Sequence, residues 1–266
     1  MTIALLVGTR ADGAREHERR VYDALCALNV PVLRPPLDTH EEITAALQKA
    51  DIVVALGGDG TIIHAAKHAA AFQKPVLGIN AGHLGFMAGL EADELDKLPA
   101  LLSGAYQIER RMLLDIRTGE RRLTALNEAV VSRGALSQMV ELRVDNHGEP
   151  VVSYRADGVI IATPTGSTAY ALSAGGPIID PALSVLSMTP ICPHSLYSRS
   201  YIFSDSAQLT LRAAAPSLTL CADGEVSEVI AGDSVIVFSR ASYDAQLIKI
   251  KPTPFYRVLS DKLMRR

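Results

Sequence analysis

No tryptophan occurs in this chain, and aromatic residues make up only 5% of its 266 positions. Any stacking on a nucleobase would therefore fall to a handful of tyrosines. Cysteine is equally scarce: Cys26, Cys192 and Cys221 lie far apart, are odd in number and form no Cys-x-x-Cys. That indicates neither a disulfide framework nor a zinc cluster and reads as three reduced, mostly buried thiols in a cytosolic protein. Basic excess is missing too. Lys plus Arg number 26 against 29 Asp plus Glu, a net charge of −3, which argues against a dedicated nucleic-acid binder. No apolar run approaches the ~18 residues of a membrane span. Residues 1–8 carry no basic n-region or cleavage-type site, so they read as a first strand rather than a signal peptide. The remaining composition, 48% apolar and 21% charged, excludes disordered, collagenous and coiled-coil chains.

Several catalytic signatures are absent as well. There is no Gly-x-x-x-x-Gly-Lys-Ser/Thr, no Gly-x-Gly-x-x-Gly, no His-Glu-x-x-His and no Gly-x-Ser-x-Gly. His64 and His68 are four apart, as two metal ligands on one helix face would be. No Glu stands between them and no third ligand is evident, so they read as surface or interface histidines and no metal ligand is assigned.

What is present divides into two textures. Over the first hundred residues short apolar runs (3–8, 31–33, 51–56, 75–79) alternate with helical spacings (13–28, 41–49, 61–72, 91–102). That order predicts βαβ units and a parallel sheet. After Gly104 the pattern turns to strands: 106–117, 123–132, 139–146, 151–154, 159–162, 208–212, 218–222, 234–238 and 246–250. Asn146-His147-Gly148 and Asp223-Gly224 supply hairpin-type turns. The expected domains are 1–105, α/β and nucleotide-binding, and 106–250, β-rich. A tail, 251–266, has the spacing of an amphipathic helix and is expected to pack back on the first.

Three clusters carry chemistry. Gly57-Gly58-Asp59-Gly60-Thr61 follows an apolar strand and opens a helix. At the carboxyl end of a parallel strand, such glycines let backbone N–H groups and the helix dipole approach an anion. Asp59 is either a helix cap or a carboxylate facing a hydroxyl that must lose its proton. The second cluster runs from Asp157-Gly158 through Thr163-Pro164-Thr165-Gly166-Ser167-Thr168-Ala169-Tyr170 to Ser173-Ala174-Gly175-Gly176-Pro177. Its density of hydroxyls beside glycine suits hydrogen bonds to ribose and a base. The third is Asn127-Glu128 inside an otherwise apolar strand, where adjacent side chains face opposite ways and one should point inward.

In this order the clusters resemble the NAD kinases of the bacterial type over nearly the whole chain, with Gly82-His83-Leu84-Gly85-Phe86 also where that family has it. The Gly-Gly-Asp-Gly loop is shared with lipid kinases and 6-phosphofructokinases; the 163–177 segment is specific. The resemblance implies transfer of the ATP γ-phosphoryl group to the 2′-hydroxyl of the adenosine ribose of NAD. It implies an α/β N-terminal domain with a Rossmann-like parallel sheet and a β-sandwich-like C-terminal domain. Asp59 would be the general base, with Gly57, Gly58, Gly60 and Thr61 forming the phosphate-binding loop and Gly60 beside the substrate. His64 would lie near the nucleotide. Asn127 and Glu128 would bind the adenosine half, and Asp157 the nicotinamide end with Arg155 close by. Thr168, Ala169, Tyr170 and Ser173 would line the dinucleotide pocket, Tyr170 stacking on a base, with Phe86 and Asp223 as further contacts. Gln138 stands where many relatives carry a basic or His side chain. The implied cofactor is Mg²⁺ or another divalent metal with ATP, polyphosphate being an alternative donor. The implied protein is a cytoplasmic homodimer or homotetramer engaging neither nucleic acid nor membrane. The competing readings are a diacylglycerol-type lipid kinase and a non-catalytic dinucleotide sensor.

Overall fold

The computed structural model describes residues 1–8, 14–37, 39–81, 85–134, 139–195, 198–252 and 255–264. The chain forms two compact units, Met1–Arg110 with Tyr243–Arg266, and Arg111–Ser242. Both divisions fall inside long strands. The cysteines expected to be mostly buried are not: Cys26 and Cys192 are exposed and Cys221 is half-buried.

The first unit begins β1 (Ile3–Val7), α1 (Ala14–Cys26), β2 (Val32–Leu33), α2 (His40–Lys49), β3 (Ile52–Gly57), α3 (Asp59–Ala71) and β4 (Val76–Asn80). β1 pairs in parallel with β2 and β3, and β3 with β4, in registers such as Leu5↔Val54 and Val54↔Leu77. The strands are apolar along their whole length because helices cover both faces of such a sheet. Ile3, Leu5, Val54 and Ile79 pack with Val21 and Leu25 of α1, while α3 buries Ile62, Ile63, Ala66 and Ala70.

One expectation fails here. The helix expected over 91–102 is instead β5 (Leu90–Glu91), a single 3₁₀ turn at Leu95–Lys97 and the one-turn α4 (Ala100–Ser103). Pro99 lacks an N–H and starts α4 rather than continuing a longer helix. Gly104, at φ 71°, ends it in the left-handed region.

The second unit is antiparallel. Its strands are β6 (Gln107–Thr118), β7 (Arg121–Ala125), β8 (Glu128–Arg133), β9 (Val140–Asn146), β10 (Glu149–Ala156) and β11 (Gly158–Ala162). After the one-turn α5 (Tyr170–Ser173) come β12 (Val185–Ile191), β13 (Tyr201–Ser204), β14 (Gln208–Ala214), β15 (Ser217–Ala222), β16 (Val226–Ala231) and β17 (Ile236–Lys249). One layer runs β13-β12-β11-β8-β15-β16; the facing layer contains β10-β9-β14-β17, with β6 and β7 paired. Val131, Ile161, Met188 and Leu220 of the first layer share a core with Leu142, Leu211 and Phe238 of the second, which makes the unit a sandwich.

The strand expected over 123–132 breaks at Leu126–Asn127, so Asn127 lies in a bend and Glu128 opens β8. Two strands expected at 234–238 and 246–250 are one, β17, whose polar middle stays extended. Beyond it the chain rejoins the first unit, where Leu247 pairs with Val76 and α6 (Phe255–Met264) buries Val258.

Candidate functional site

Asp59 is the first residue of α3, and the cap is Gly58, which offers no side chain. Asp59 is therefore no N-cap, and its carboxylate is used across the fold. Oδ2 accepts the Phe86 N–H at 3.1 Å and Oδ1 accepts the Met87 N–H at 3.1 Å. Lys262 of α6 donates its ammonium to Oδ2 at 3.1 Å. The side chain stays 28% exposed, so it is fixed yet reachable. A Cβ on Gly85 would collide with this carboxylate, which is why the chain approaches it at a glycine. At Gly58 and Gly60 the reverse holds: a Cβ would meet no protein atom within 4 Å. Both are exposed, and nothing in the packing demands glycine there. Phe86 contributes through its N–H, and its ring lies 4.4 Å beneath the Lys262 ammonium and 5.9 Å from the Phe255 ring.

His64, one turn into α3, is half-buried; its ring lies 4.5 Å from that of His68, tilted by 57°, and His68 in turn lies 5.1 Å from His40. It lines a cavity of about 800 Å³ with Val7, Gly8, Arg15, Arg34 and Pro35. This cavity sits at the carboxyl ends of β1 and β2, where open parallel sheets take ligands. Arg34 is held there by an ion pair with Glu18 and by the Tyr22 ring 4.6 Å away. Among the described residues no group of three or more His, Cys, Asp or Glu is placed to hold a metal ion.

In the second unit the fold gathers residues from distant parts of the sequence. Asp223, at φ 52° in the β15–β16 turn, accepts main-chain N–H groups from Leu126 (2.8 Å), Asn127 (2.8 Å) and Glu128 (3.2 Å). It thereby fixes the bend that presents Asn127. From the other side Thr163 donates its hydroxyl to Leu126 O at 2.6 Å, and its N–H bonds Asn127 O at 2.9 Å. Gly166 presses so closely on Asn127 that a Cβ would strike its carbonyl. The 163–168 turn is tightened internally: Ser167 Oγ donates to Pro164 O at 2.7 Å and accepts the Ile179 N–H at 3.0 Å. Arg111, 5% exposed, donates to Thr165 Oγ1 at 3.2 Å. The hydroxyl density of this segment thus serves largely to build its own turn.

Glu128 is 7% exposed. Burial pushes its carboxyl up to about 7, with the nearby Asp223 charge adding to the effect and a bond from the Tyr170 N–H opposing it. Its buried Oε2 has no hydrogen-bond partner, a costly state for a carboxylate and one that a ligand donor would relieve. Beside it Thr168 and Ala169 are half-buried, while Tyr170, 46% exposed, and Ser173 face outward. Asp157 follows β10, but its partner is Arg133, with N···O 3.3 Å, while the Arg155 side chain is exposed. Gly82, His83, Leu84 and Gln138 lie outside the described residues.

Sequence reasoning therefore missed Arg133, Arg111 and Lys262. Arg133 carried a weak signal, a cation closing an apolar strand. The other two carried none, because their partners Thr165 and Asp59 are 54 and 203 positions away.

Residues 3–106 match the family model described as the ATP-NAD kinase N-terminal domain, and residues 126–250 match the ATP-NAD kinase C-terminal domain. An NAD kinase of Symbiobacterium thermophilum is 46% identical over 86% of this chain and 83% of its own. One from Moorella thermoacetica is 43% identical over 84% of this chain and 73% of its own. An Archaeoglobus fulgidus NAD kinase solved in complex with ATP superposes with a TM-score of 0.82 at 27% identity, covering 100% of both chains. Yeast NADH kinase complexed with NADH shares the fold, with a TM-score of 0.86 at 23% identity over 100% of this chain and 88% of its own.

Proposed function

The chain belongs to the ATP-NAD kinase family and is an NAD kinase, and from that premise we propose which of its residues carry the transfer of the ATP γ-phosphoryl group to the 2′-hydroxyl of NAD. Asp59 receives the hydroxyl proton. The observation that carries this is a carboxylate clamped by two main-chain N–H groups while still 28% exposed, on the first residue of a 13-residue helix. A carboxylate cannot hold a sugar hydroxyl's proton in the ground state. It orients the O–H and accepts the proton late, as metaphosphate character develops at phosphorus.

The phosphates of ATP lie against Gly57, Gly58, Gly60 and Thr61, where the first N–H groups of α3 have no intrahelical acceptor and the helix dipole favours an anion. Glycine at 58 and 60, where packing makes no demand, supports this, because what the loop needs is room above its backbone. The cavity beside His64, with Arg15 and Arg34 on an apolar floor, suits the rest of the donor nucleotide. Mg²⁺ would be held by ATP itself and would offset the charge of the phosphates.

Asn127 and Glu128 hold the adenosine half of NAD, Glu128 Oε2 accepting an N–H or O–H from it. Thr168, Ala169, Tyr170 and Ser173 border that pocket, and Tyr170 covers the base. Asp157, steadied by Arg133, takes the nicotinamide end. Phe86 and Asp223 act from behind, one holding Asp59 and the other the 126–128 bend. The enzyme works in the cytoplasm as a homo-oligomer.

The test is Asp59→Asn, which keeps the size but removes the proton acceptor. NADP formation from NAD and Mg·ATP should fall by ~10²-fold or more in kcat while the Kd for NAD changes little. Near-normal turnover would reduce Asp59 to a structural tie between α3 and the 86–87 backbone.

A further inference from the structure

A kinase without a P-loop lysine still needs positive charge where the phosphoryl group moves. In this chain no cation precedes or follows Asp59 in its loop, which reads Gly-Gly-Asp-Gly-Thr. One is brought from the other end of the sequence. Lys262 stands in the last turn of α6, and its ammonium bonds Asp59 Oδ2 at 3.1 Å. It is held there twice over: by the carboxylate, and by the Phe86 ring 4.4 Å away. Phe86 is itself backed by Phe255 from the first turn of the same helix, and Val258 anchors that helix at 3% exposure.

The family models match residues 3–106 and 126–250, so α6 lies outside both matched segments.

We propose that Lys262 is a catalytic residue of the phosphoryl transfer: while paired with Asp59 it donates to a γ-phosphoryl oxygen of ATP. The inference rests on the assignment of Asp59 as the proton acceptor. An ammonium has three donors in a rotatable head. One is used on Asp59, and the side chain remains 35% exposed. In the transfer the 2′-oxygen of NAD bonds to the γ-phosphorus. The bond from that phosphorus to the β,γ-bridging oxygen breaks, and its electron pair leaves on ADP. The hydroxyl proton passes to Asp59 and from there to water. The attacking oxygen bonded to Asp59 is the one that meets the phosphorus, so an ammonium on the same carboxylate can turn another of its donors toward the equatorial oxygens. There it opposes the charge that spreads over them, in a site where a fixed donor is worth more than in water. The cation also keeps two anions, carboxylate and phosphate, from repelling one another across the acceptor hydroxyl.

The test compares full-length wild type with Lys262→Met, Lys262→Arg, Lys262→Gln and Lys251→Met in NADP formation from NAD and Mg·ATP. Wild-type activity checks the family reading by itself; inactive wild type would fault that reading and not Lys262. Lys262→Met should lower kcat by roughly 10²-fold, the loss usual for one preorganised donor to a developing charge. KM for NAD should stay within about 3-fold, because the lost contact forms mainly in the transition state. Lys262→Arg, which keeps charge and donors, should regain at least about a tenth of wild-type kcat. Lys251→Met removes an equal charge from the tail, where Lys251 pairs with Glu94. It should leave kcat unchanged. If Lys262→Met does not fold, judged by circular dichroism and thermal midpoint, the uncharged Lys262→Gln takes its place with the same expectation. A neutral variant with kcat within 2-fold of wild type, or above it, overturns the proposal, the latter by making the Lys262–Asp59 pair a latch. An arginine variant as slow as the neutral one would also overturn it, since charge at that position would then be irrelevant.

Discussion

Glu128 has to satisfy two opposing requirements. A carboxylate buried to 7% exposure, with one oxygen unbonded, weakens the fold, and in our proposal that oxygen is kept for a ligand. Its pKa rises from 4.5 to about 7 in the folded protein, so between those values the native state binds more protons than the unfolded one. The stability contributed by its protonated form is complete below about 4.5 and is lost as pH rises through about 7. Glu128→Gln removes that dependence. The variant should be more stable than wild type at pH 8 by up to about 3 kcal/mol, the gap closing by pH 4.5, as urea titrations at several pH values would register. The same substitution should raise KM for NAD roughly 10-fold, because a charge-assisted acceptor is lost. Equal stability of the two proteins across that range would show that Glu128 is not strained by its site. Much of this was visible in the sequence: two polar residues in an apolar run announce that one is inside. The partner that fixes them was not, since Asp223 stands about a hundred positions away in a turn whose Asp-Gly reads as an ordinary hairpin.

At the scale of elements, the 126–128 bend and the 163–168 turn are one construction. Asp223 receives three consecutive N–H groups from the bend, and Thr163 and Gly166 close it from the opposite side. Asp223→Ala leaves those donors without their shared acceptor. The fold should lose about 2–4 kcal/mol, at roughly 1.5–3 for a hydrogen bond to a charged group and with partial recovery by water. The midpoint of urea unfolding should fall accordingly, and KM for NAD should rise with little change in kcat, because the bend presents Asn127 without touching the transferring group. A loss of kcat alone would mean that the turn serves the transfer step directly. Local pattern reveals such elements unevenly. α3 and the strands β1, β3 and β4 follow from apolar spacing alone. The break between β7 and β8 does not, because side-chain bonds from Asp223 and Thr163 impose it on a segment whose apolar run reads as one continuous strand. The long β17 is hidden for the opposite reason: its middle, Ser239-Arg240-Ala241-Ser242-Tyr243-Asp244, is polar but held extended by its neighbours in the sheet.

For the whole molecule, the net charge of −3 is informative because two polyphosphates must be accommodated. A protein with a broad basic surface could hold ATP by charge alone and bind it without a metal. This one offers backbone N–H groups at the head of α3, a few arginines around the adjoining cavity and one lysine on Asp59. Among its described residues no acidic or histidine cluster is placed to hold a metal ion. We take the metal to arrive with ATP, whose phosphates are its natural ligands, so each substrate's binding should respond to it differently. NAD, carrying no γ-phosphate, should bind equally well with or without metal. At a hundred times its Kd it should stabilise the protein by about 2.7 kcal/mol, whether or not a chelator is present. Turnover should disappear when the divalent metal is chelated and return in full on adding Mg²⁺, without a slow refolding phase, as expected of a metal that arrives with ATP. Thermal unfolding with and without NAD, each in chelator and in Mg²⁺, checks both halves beside the activity assay. If chelation lowered the thermal midpoint of the ligand-free protein, a resident metal would be part of the fold.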